Sequence, residues 1–239
     1  MRGQKTTVTV NELKRRLAES VRICVCEGLL ENFGHVSARS AQSNRVFILR
    51  HLHERLDKVT SNDFVEVDLS GRKVSGKFDP PNEVFLHTAI YRRRTDINAI
   101  VYTHPLYSTI FGVLGEKILP LLSNCTFLAS GIPIYDDFRS IGTLELGEKL
   151  AEKLASSFAL LMRGSGLVTV AETVQEATLL SILIEKSAKV QYMAALAGEP
   201  RVIRAEEAPG KFGSMPQHFF ESSWGHYVSK SSGSLRGRG

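Results

Sequence analysis

The chain has 239 residues, of which 43% are hydrophobic and 23% charged, and its formal net charge is +5. This is the composition of an ordinary globular protein, and no apolar run reaches the roughly 18 residues that span a bilayer, so no membrane partner is expected. The N-terminal segment lacks the apolar core of a secretion signal, which favours a cytoplasmic location. The positive charge is scattered without a nucleic-acid-binding motif, so no nucleic acid is expected, whereas a small anionic substrate is compatible with it.

The first half of the chain is predicted to begin with a helix and to continue as short strands. The helix would start at Thr9, which can form a capping box with Glu12, and would end near Gly28. Its apolar residues recur at spacings of three and four, which predicts one buried face. Four short strands are predicted next, at 34–39, at 45–50, at 63–68 and directly after a turn at 70–72.

The second half of the chain alternates helices with strands. Helices are predicted at 82–94, after Pro105, at 143–156 and at 173–197, and strands at 98–103, 132–135, 158–162 and 167–170. Because the order is irregular and several strands follow each other through turns, we expect a largely antiparallel sheet with helices on both faces. We expect a single domain over 1–239, with 199–239 as a C-terminal extension that ends in a disordered tail at 231–239.

The segment at 80–107 contains several residues whose side chains can take part in acid–base chemistry. Glu83 lies at the start of a predicted helix, and the strand that follows ends at His104. Tyr102 and His104 are two positions apart, so their side chains point to the same side of the sheet. A carboxylate and an imidazole therefore approach the edges of neighbouring elements, which indicates a site for acid–base chemistry.

Five segments in order resemble the class II aldolase/adducin family over about residues 10–197. They are GHVSAR at 34–39, PPNEVFLH at 80–87, AIVYTHP at 99–105, LMRGSGLVTV at 161–170 and EATLLSILIEKSAKVQ at 176–191. The resemblance implies an α/β fold, a three-layer α/β/α sandwich around a mainly antiparallel central sheet. It also implies a homo-oligomer, commonly a tetramer, with sites near subunit interfaces.

The resemblance further implies a divalent metal held by three histidines, with a glutamate as ligand or general acid/base. Carried over to this chain, the glutamate is Glu83 and one ligand is His104, while Tyr102 and Ser165 stand in place of the other two histidines. A phenol and a serine hydroxyl are weak ligands, so a metal site with Zn, Mn or Fe stays open but the metal-free interpretation is favoured. Tyr102 is then expected to act as a hydrogen-bond donor or general acid.

The expected substrate-binding residues are Gly34, His35, Asn82 and Ser165, again on the resemblance. A sugar phosphate is disfavoured because Pro81 removes a backbone donor from the segment where the sugar-phosphate aldolases bind phosphate. GHVSAR and the segment PIYDDF at 133–138 resemble instead the branch of the family that acts on aromatic carboxylates, which includes decarboxylases.

Two functional hypotheses follow. In the first, the protein is a class II aldolase-like lyase, of aldolase or decarboxylase type, that cleaves a C–C bond next to a carbonyl or carboxylate; Glu83 transfers the proton and Tyr102 supports the developing charge. In the second, it is a non-catalytic, adducin-like binding or scaffold protein that has lost the metal site. Of the remaining histidines, His87 is expected to pack or hydrogen-bond inside the fold, and His51 and His53 are expected to be solvated.

Overall fold

The computed structural model describes residues 8–40, 43–51, 54–210 and 213–236. Its α-helices are α1 (Val10–Cys26), α2 (Val84–Arg93), α3 (Leu106–Leu114), α4 (Leu144–Leu154), α5 (Val174–Ala197) and α6 (Gln217–Arg236). Its strands are β1 (His35–Arg39), β2 (Val46–Leu49), β3 (Phe64–Val67), β4 (Lys73–Ser75), β5 (Ala99–Thr103), β6 (Ile134–Tyr135), β7 (Ala159–Met162) and β8 (Gly166–Ala171). In these ranges no helix combines the length and the apolar character needed to cross a membrane.

The eight strands form one sheet in the order β4-β3-β2-β1-β5-β8-β7-β6. Each neighbouring pair is antiparallel except β6 with β7, which is parallel. The strand β5 lies near the middle, between β1 and β8, and in its register with β1 Tyr102 lies opposite His35. The expectation of a mainly antiparallel sheet in an α/β fold is therefore confirmed.

Helices cover both faces of the sheet. On one face α1, α3 and α5 pack on a core that includes Leu17, Val101 and Leu183; on the other, α2 and α4 pack on a core that includes Ile100 and Leu150. This is the three-layer arrangement that two amphipathic helical layers around a sheet produce. The helix α2 is more deeply buried than an amphipathic surface helix, since seven of its ten residues are inaccessible to solvent beneath α4.

Glycine allows the close packing of α4 on α2. A Cβ atom at Gly147 would overlap the backbone carbonyl oxygen of Phe85 and would lie 3.0 Å from Cβ of Ala89. Two helices whose side chains interdigitate normally stay 8–10 Å apart, and a small residue at the crossing permits the lower end of that range. The position of α2, and with it that of Glu83 at its start, therefore depends on this glycine.

The C-terminal extension is ordered further than the sequence suggested. We expected a disordered tail at 231–239, but α6 continues to Arg236; residues 237–239 lie outside the described part of the chain. The helix packs on α1 and α5 through Phe220 and Tyr227, which are both buried. Lys230 also forms an ion pair with Glu27, at 2.6 Å. In the described part of this Ser- and Gly-rich segment, packing of one apolar face thus outweighs low helix propensity.

Substitution Gly147→Ala should destabilise the protein, although alanine normally favours a helix over glycine. Forcing a methyl group against the Phe85 carbonyl should cost about 1–3 kcal/mol of unfolding free energy, measured by urea denaturation. The matched control is Gly225→Ala in α6, where an added Cβ meets nothing within 4 Å and a gain of about 0.4–1 kcal/mol is expected. Equal effects of the two substitutions would contradict this account of the α2–α4 contact.

Candidate active site

The strand β5 and its neighbours carry the candidate residues to one end of the sheet. Directly before β1, Gly34 adopts a φ of +110°, and a Cβ there would lie only 2.6 Å from the carbonyl oxygen of Tyr102. At Gly166, the first residue of β8, a Cβ would overlap the carbonyl oxygen of Thr103. Both positions therefore require glycine for steric reasons, and the two glycines allow the flanking chain to lie tightly against the end of β5.

A cleft of about 230 Å³ opens at this end of the sheet, between the start of β1, the end of β2 and the start of α2. Its walls are formed by Asn32, Phe33, Gly34, His35, Leu49, Arg50, His51, Leu56, Asn82, Glu83 and Ser140. Four of the residues that the sequence indicated, Gly34, His35, Asn82 and Glu83, are thus brought together in one cavity.

The other three indicated residues form a hydrogen-bonded cluster next to the cleft. The hydroxyl oxygens of Tyr102 and Ser165 lie 2.7 Å apart, and Nδ1 of His104 donates to the backbone oxygen of Ser165 at 2.9 Å. The ring of Tyr102 lies between this cluster and the cleft residue His35. Its centroid is 4.8 Å from that of His104 and 5.9 Å from that of His35. The three residues do not line the cleft themselves, but the cluster adjoins it closely enough for the charge of Glu83 to act on the Tyr102 phenol.

Glu83 is the carboxylate of the cleft. It occupies the N-cap position of α2, where the positive end of the helix dipole stabilises a negative charge, but its side chain makes no capping bond. Instead its Oε1 accepts a hydrogen bond from the Ser140 hydroxyl, at 3.0 Å. The carboxylate is thereby directed into the cleft and away from the helix end.

Tyr102 remains a proton donor in this environment. Burial raises the pKa of its phenol above the ordinary value near 10, the negative charge of Glu83 raises it further, and the hydrogen bond with Ser165 lowers it by less. The phenol therefore keeps its proton at neutral pH. The effect of the Glu83 charge on this pKa indicates that the carboxylate and the phenol lie close enough to interact electrostatically.

The imidazoles around the site are held in defined states. A carbonyl oxygen can only accept, so Nδ1 of His104 carries the proton of this hydrogen bond, and in the neutral imidazole Nε2 is the acceptor; that atom is buried and has no hydrogen-bond partner among the described residues. His35 is kept neutral, since burial, followed by the charges of His104 and His51, lowers its pKa to about 3. His87 is fully buried and hydrogen-bonded to Ser37 at 2.8 Å, the packing role that the sequence indicated.

The donor set does not fit a three-histidine metal centre. Across the described ranges, no three His, Cys, Asp or Glu side chains come together as a group that could hold a metal ion. His104 offers one imidazole, and the hydroxyl groups of Tyr102 and Ser165, the positions where the resemblance implied the other two imidazoles, are hydrogen-bonded to each other. Neutral hydroxyls bind divalent cations far more weakly than imidazoles do.

Three residues of the cleft were missed from the sequence. The side chain of Arg50 brings a positive charge to the end of β2, where its Nε donates to Asp63 at 3.1 Å and its guanidinium lies 4.2 Å from the ring centroid of Phe78. His51 was expected to be solvated but is half-buried in the cleft wall; His53 lies outside the described residues. Ser140 binds Glu83 from a loop 57 positions away. The signal available for Arg50 and His51 was their position directly after a strand that neighbours β1.

Comparisons with known proteins agree with this fold. Residues 15–192 match the family described as the class II aldolase and adducin N-terminal domain, and the chain belongs to this family. It is 27% identical to the 3,4-dihydroxyphthalate decarboxylase of Arthrobacter keyseri over 77% of this chain and 79% of that protein. It is 30% identical to the L-fuculose phosphate aldolase of Methanococcus maripaludis over 56% of this chain and 72% of that protein. The solved L-fuculose 1-phosphate aldolase of Glaciozyma antarctica superposes with a TM-score of 0.81 at 24% identity, covering 97% of this chain and 94% of that one.

The buried neutral state of His35 predicts a loss of stability in acid. Its pKa of about 3 in the folded protein lies below the value near 6.5 expected after unfolding, so the unfolded chain binds more protons between these values. The stability that depends on neutral His35 is therefore fully present above pH 6.5 and decreases as the pH falls towards 3. Repulsion from His104 and His51 lowers the pKa of His35 in the same direction as burial does.

Urea unfolding of wild type and His35→Gln at pH 7.5 and pH 5 tests this. The wild type should lose more stability on acidification than the variant, by about 1–2 kcal/mol. The control His226→Gln removes an exposed imidazole from α6 and should follow the wild type. If His35→Gln loses as much stability as the wild type, the imidazole is not held neutral by burial.

Proposed function

We propose that this protein is a carbon–carbon lyase, of aldolase or decarboxylase type, acting next to a carbonyl or carboxylate of a small anionic substrate. The observation that carries the proposal is the position of Glu83, a carboxylate directed into a cleft that also holds a cationic side chain and hydrogen-bonding groups. Cleavage of a C–C bond leaves an electron pair on carbon, which requires a nearby proton carrier and donors for the oxygen that shares the charge. The decarboxylase and aldolase relatives support the same class of reaction.

Six residues in and beside the cleft have roles in this proposal. Arg50 attracts the substrate carboxylate, because its charge lies in the wall of the cleft. Asn82 and neutral His35 supply hydrogen bonds that orient the substrate without adding charge. Glu83 moves the proton to or from the reacting carbon, and Ser140 holds its carboxylate in place. Tyr102, which stays protonated, stabilises the negative oxygen.

Within this class we favour an aromatic carboxylate over a sugar phosphate. Phe33 lines the cleft with 68% of its surface exposed, so a flat apolar group of a substrate can cover it. Arg50 supplies one positive charge, which suits a carboxylate. Phosphate sites usually add several backbone N–H donors, and Pro81, close to the start of α2, has no backbone N–H to contribute. A panel of hydroxylated benzoates and phthalates, compared with ketose and aldose phosphates, separates the two classes.

Substitution Glu83→Gln tests the proton-transfer role with any substrate that the panel identifies. It should lower kcat by about 10²–10⁴-fold with a small change in KM, because the amide keeps the shape but cannot exchange a proton. The control is Glu148→Gln on the outer face of α4, where the carboxylate is exposed and pairs only with Arg92, at 3.6 Å. Turnover by Glu83→Gln at the wild-type rate would refute the assignment.

The second hypothesis, a non-catalytic adducin-like binding protein, has one observation in its favour, the replacement of two family ligands by a hydroxyl pair. It predicts that the folded protein binds ligands in the cleft without converting any of them. Binding measured together with turnover on the same panel therefore separates it from the lyase.

We also propose that the protein assembles as a homo-oligomer, with a tetramer expected from the family resemblance. The helices α3 and α5, which pack together, expose apolar side chains: Leu106, Val113, Leu114, Met193 and Leu196 are each more than half exposed. Contiguous apolar surface of this kind is typical of subunit interfaces.

Light scattering coupled to size-exclusion chromatography tests the assembly. The wild type should elute above the 26.5 kDa of one chain, and Leu114→Glu should shift it towards a smaller species because a charge would be buried in the interface. Glu116→Gln, close by in the chain, is the control and should leave the mass unchanged. A monomeric wild type would contradict the proposal.

A further inference from the structure

The hydroxyl pair of Tyr102 and Ser165 has a fixed geometry. Tyr102 lies on β5, and Ser165 lies in the turn immediately before β8, the strand that pairs with β5. The turn cannot move away easily, because Gly166 packs against the backbone of Thr103 and Ser165 itself accepts from His104 through its backbone oxygen. The distance of 2.7 Å between the two hydroxyl oxygens is therefore set by the backbone of two paired strands.

The pair has one more proton than its own hydrogen bond uses. A phenol with an intrinsic pKa near 10 and a serine hydroxyl each carry one O–H at neutral pH. One of these protons lies between the two oxygens, and the structure shows no further hydrogen bond from either hydroxyl to another described residue. One O–H therefore remains for an outside acceptor, and its donor strength is increased by the bond within the pair.

His104 supplies the opposite function next to this donor. In the neutral imidazole its Nε2 is an acceptor; the atom is buried and lacks a partner among the described residues, and the His104 ring centroid lies 4.8 Å from that of Tyr102, with the two rings tilted by 56°. An unpaired buried acceptor costs about 1–3 kcal/mol, so a ligand that donates to it gains affinity. The remaining O–H of the hydroxyl pair and Nε2 of His104 together complement a ligand with two adjacent oxygens. One ligand oxygen would accept a hydrogen bond from the O–H, and the other would donate one to Nε2.

We propose that Tyr102, Ser165 and His104 form a metal-independent binding site for a hydroxyl group with a neighbouring acceptor oxygen, such as an ortho-diol or a hydroxy-carbonyl group. The O–H left by the hydroxyl pair donates to the acceptor oxygen of the ligand, and the ligand hydroxyl donates to Nε2 of His104. The site can bind such a ligand whether or not the protein cleaves it; only its identification with the substrate rests on the lyase function proposed above.

Calorimetric titration with 3,4-dihydroxybenzoate, on protein freed of metal with EDTA, tests the site directly. The wild type should bind one equivalent per chain, and it should bind benzoate, which lacks the two adjacent hydroxyls, at least tenfold more weakly. The double variant Tyr102→Phe/Ser165→Ala should lose at least tenfold in affinity for the diol and keep its affinity for benzoate. Binding that appears only after a divalent metal is added, or equal affinity in the double variant, would overturn the proposal.

The matched control is a second buried hydroxyl pair on the opposite face of the sheet. Ser20 and Thr178 lie 2.6 Å apart between α1 and α5, so Ser20→Ala/Thr178→Val removes a comparable pair without touching the site. It should leave the affinity for the diol unchanged, which separates loss of the site from a general loss of stability. Diol binding without turnover of any substrate would leave this proposal standing and refute the lyase function instead.

Elemental analysis provides a readout that does not depend on any ligand. Wild-type protein should carry no stoichiometric divalent metal, whereas Tyr102→His/Ser165→His, which places two imidazoles beside His104, should acquire Zn²⁺ or Mn²⁺. Stoichiometric metal in the wild type that His104→Ala removes would show that the site is a metal centre and would overturn the proposal.

Discussion

The pairing of β5 with β1 on one side and β8 on the other is the constraint on which the candidate site depends. It sets His35 opposite Tyr102 and brings Ser165, 63 positions later in the chain, within hydrogen-bonding distance of the same tyrosine. Because side chains alternate across a strand, a shift of one residue in either register would turn these groups to the other face. The close approach at Gly34 and Gly166 opposes such a shift, since only glycine fits against the end of β5.

Within this frame, the charged side chains Glu83 and Arg50 lie at the open cleft. Both are half-buried in its lining, where water and the helix end can solvate them, whereas burial holds several neighbouring groups in their neutral forms. Burial keeps His35 and His87 without a proton and Tyr102 with one. The low polarity that produces these shifts also strengthens each hydrogen bond made inside it, so a neutral donor there has more effect than the same group in water.

The sequence predicted the parts of the fold that local patterns determine. The boundaries of α1, β5 and α5 follow from capping residues and from periodicity, and the family resemblance supplied the order of the layers. The helix α6 was missed because its Ser- and Gly-rich end suggested disorder, although Phe220, Trp224 and Tyr227 recur at helical spacing. The roles of Arg50 and Ser140 were missed for a different reason. Their approach to Glu83 depends on which strands and loops become neighbours, and nothing in the local sequence encodes that.

The exchange of two imidazoles for two hydroxyls changes what the site can stabilise. A divalent cation offsets a full negative charge on the oxygen that receives the electrons of a broken C–C bond, whereas a neutral O–H offsets only part of it. The rest must be accommodated by the substrate itself or by the cation at the cleft. A hydroxylated aromatic carboxylate would meet this requirement: once Glu83 has protonated the ring carbon that carries the carboxylate, the electrons of the broken C–C bond restore the aromatic ring as CO2 leaves, whereas a sugar phosphate would leave them on an enolate oxygen. The neutral hydroxyl pair and the aromatic carboxylate that we propose as substrate therefore fit each other, since the pair offsets only part of a negative charge and such a substrate develops less of it.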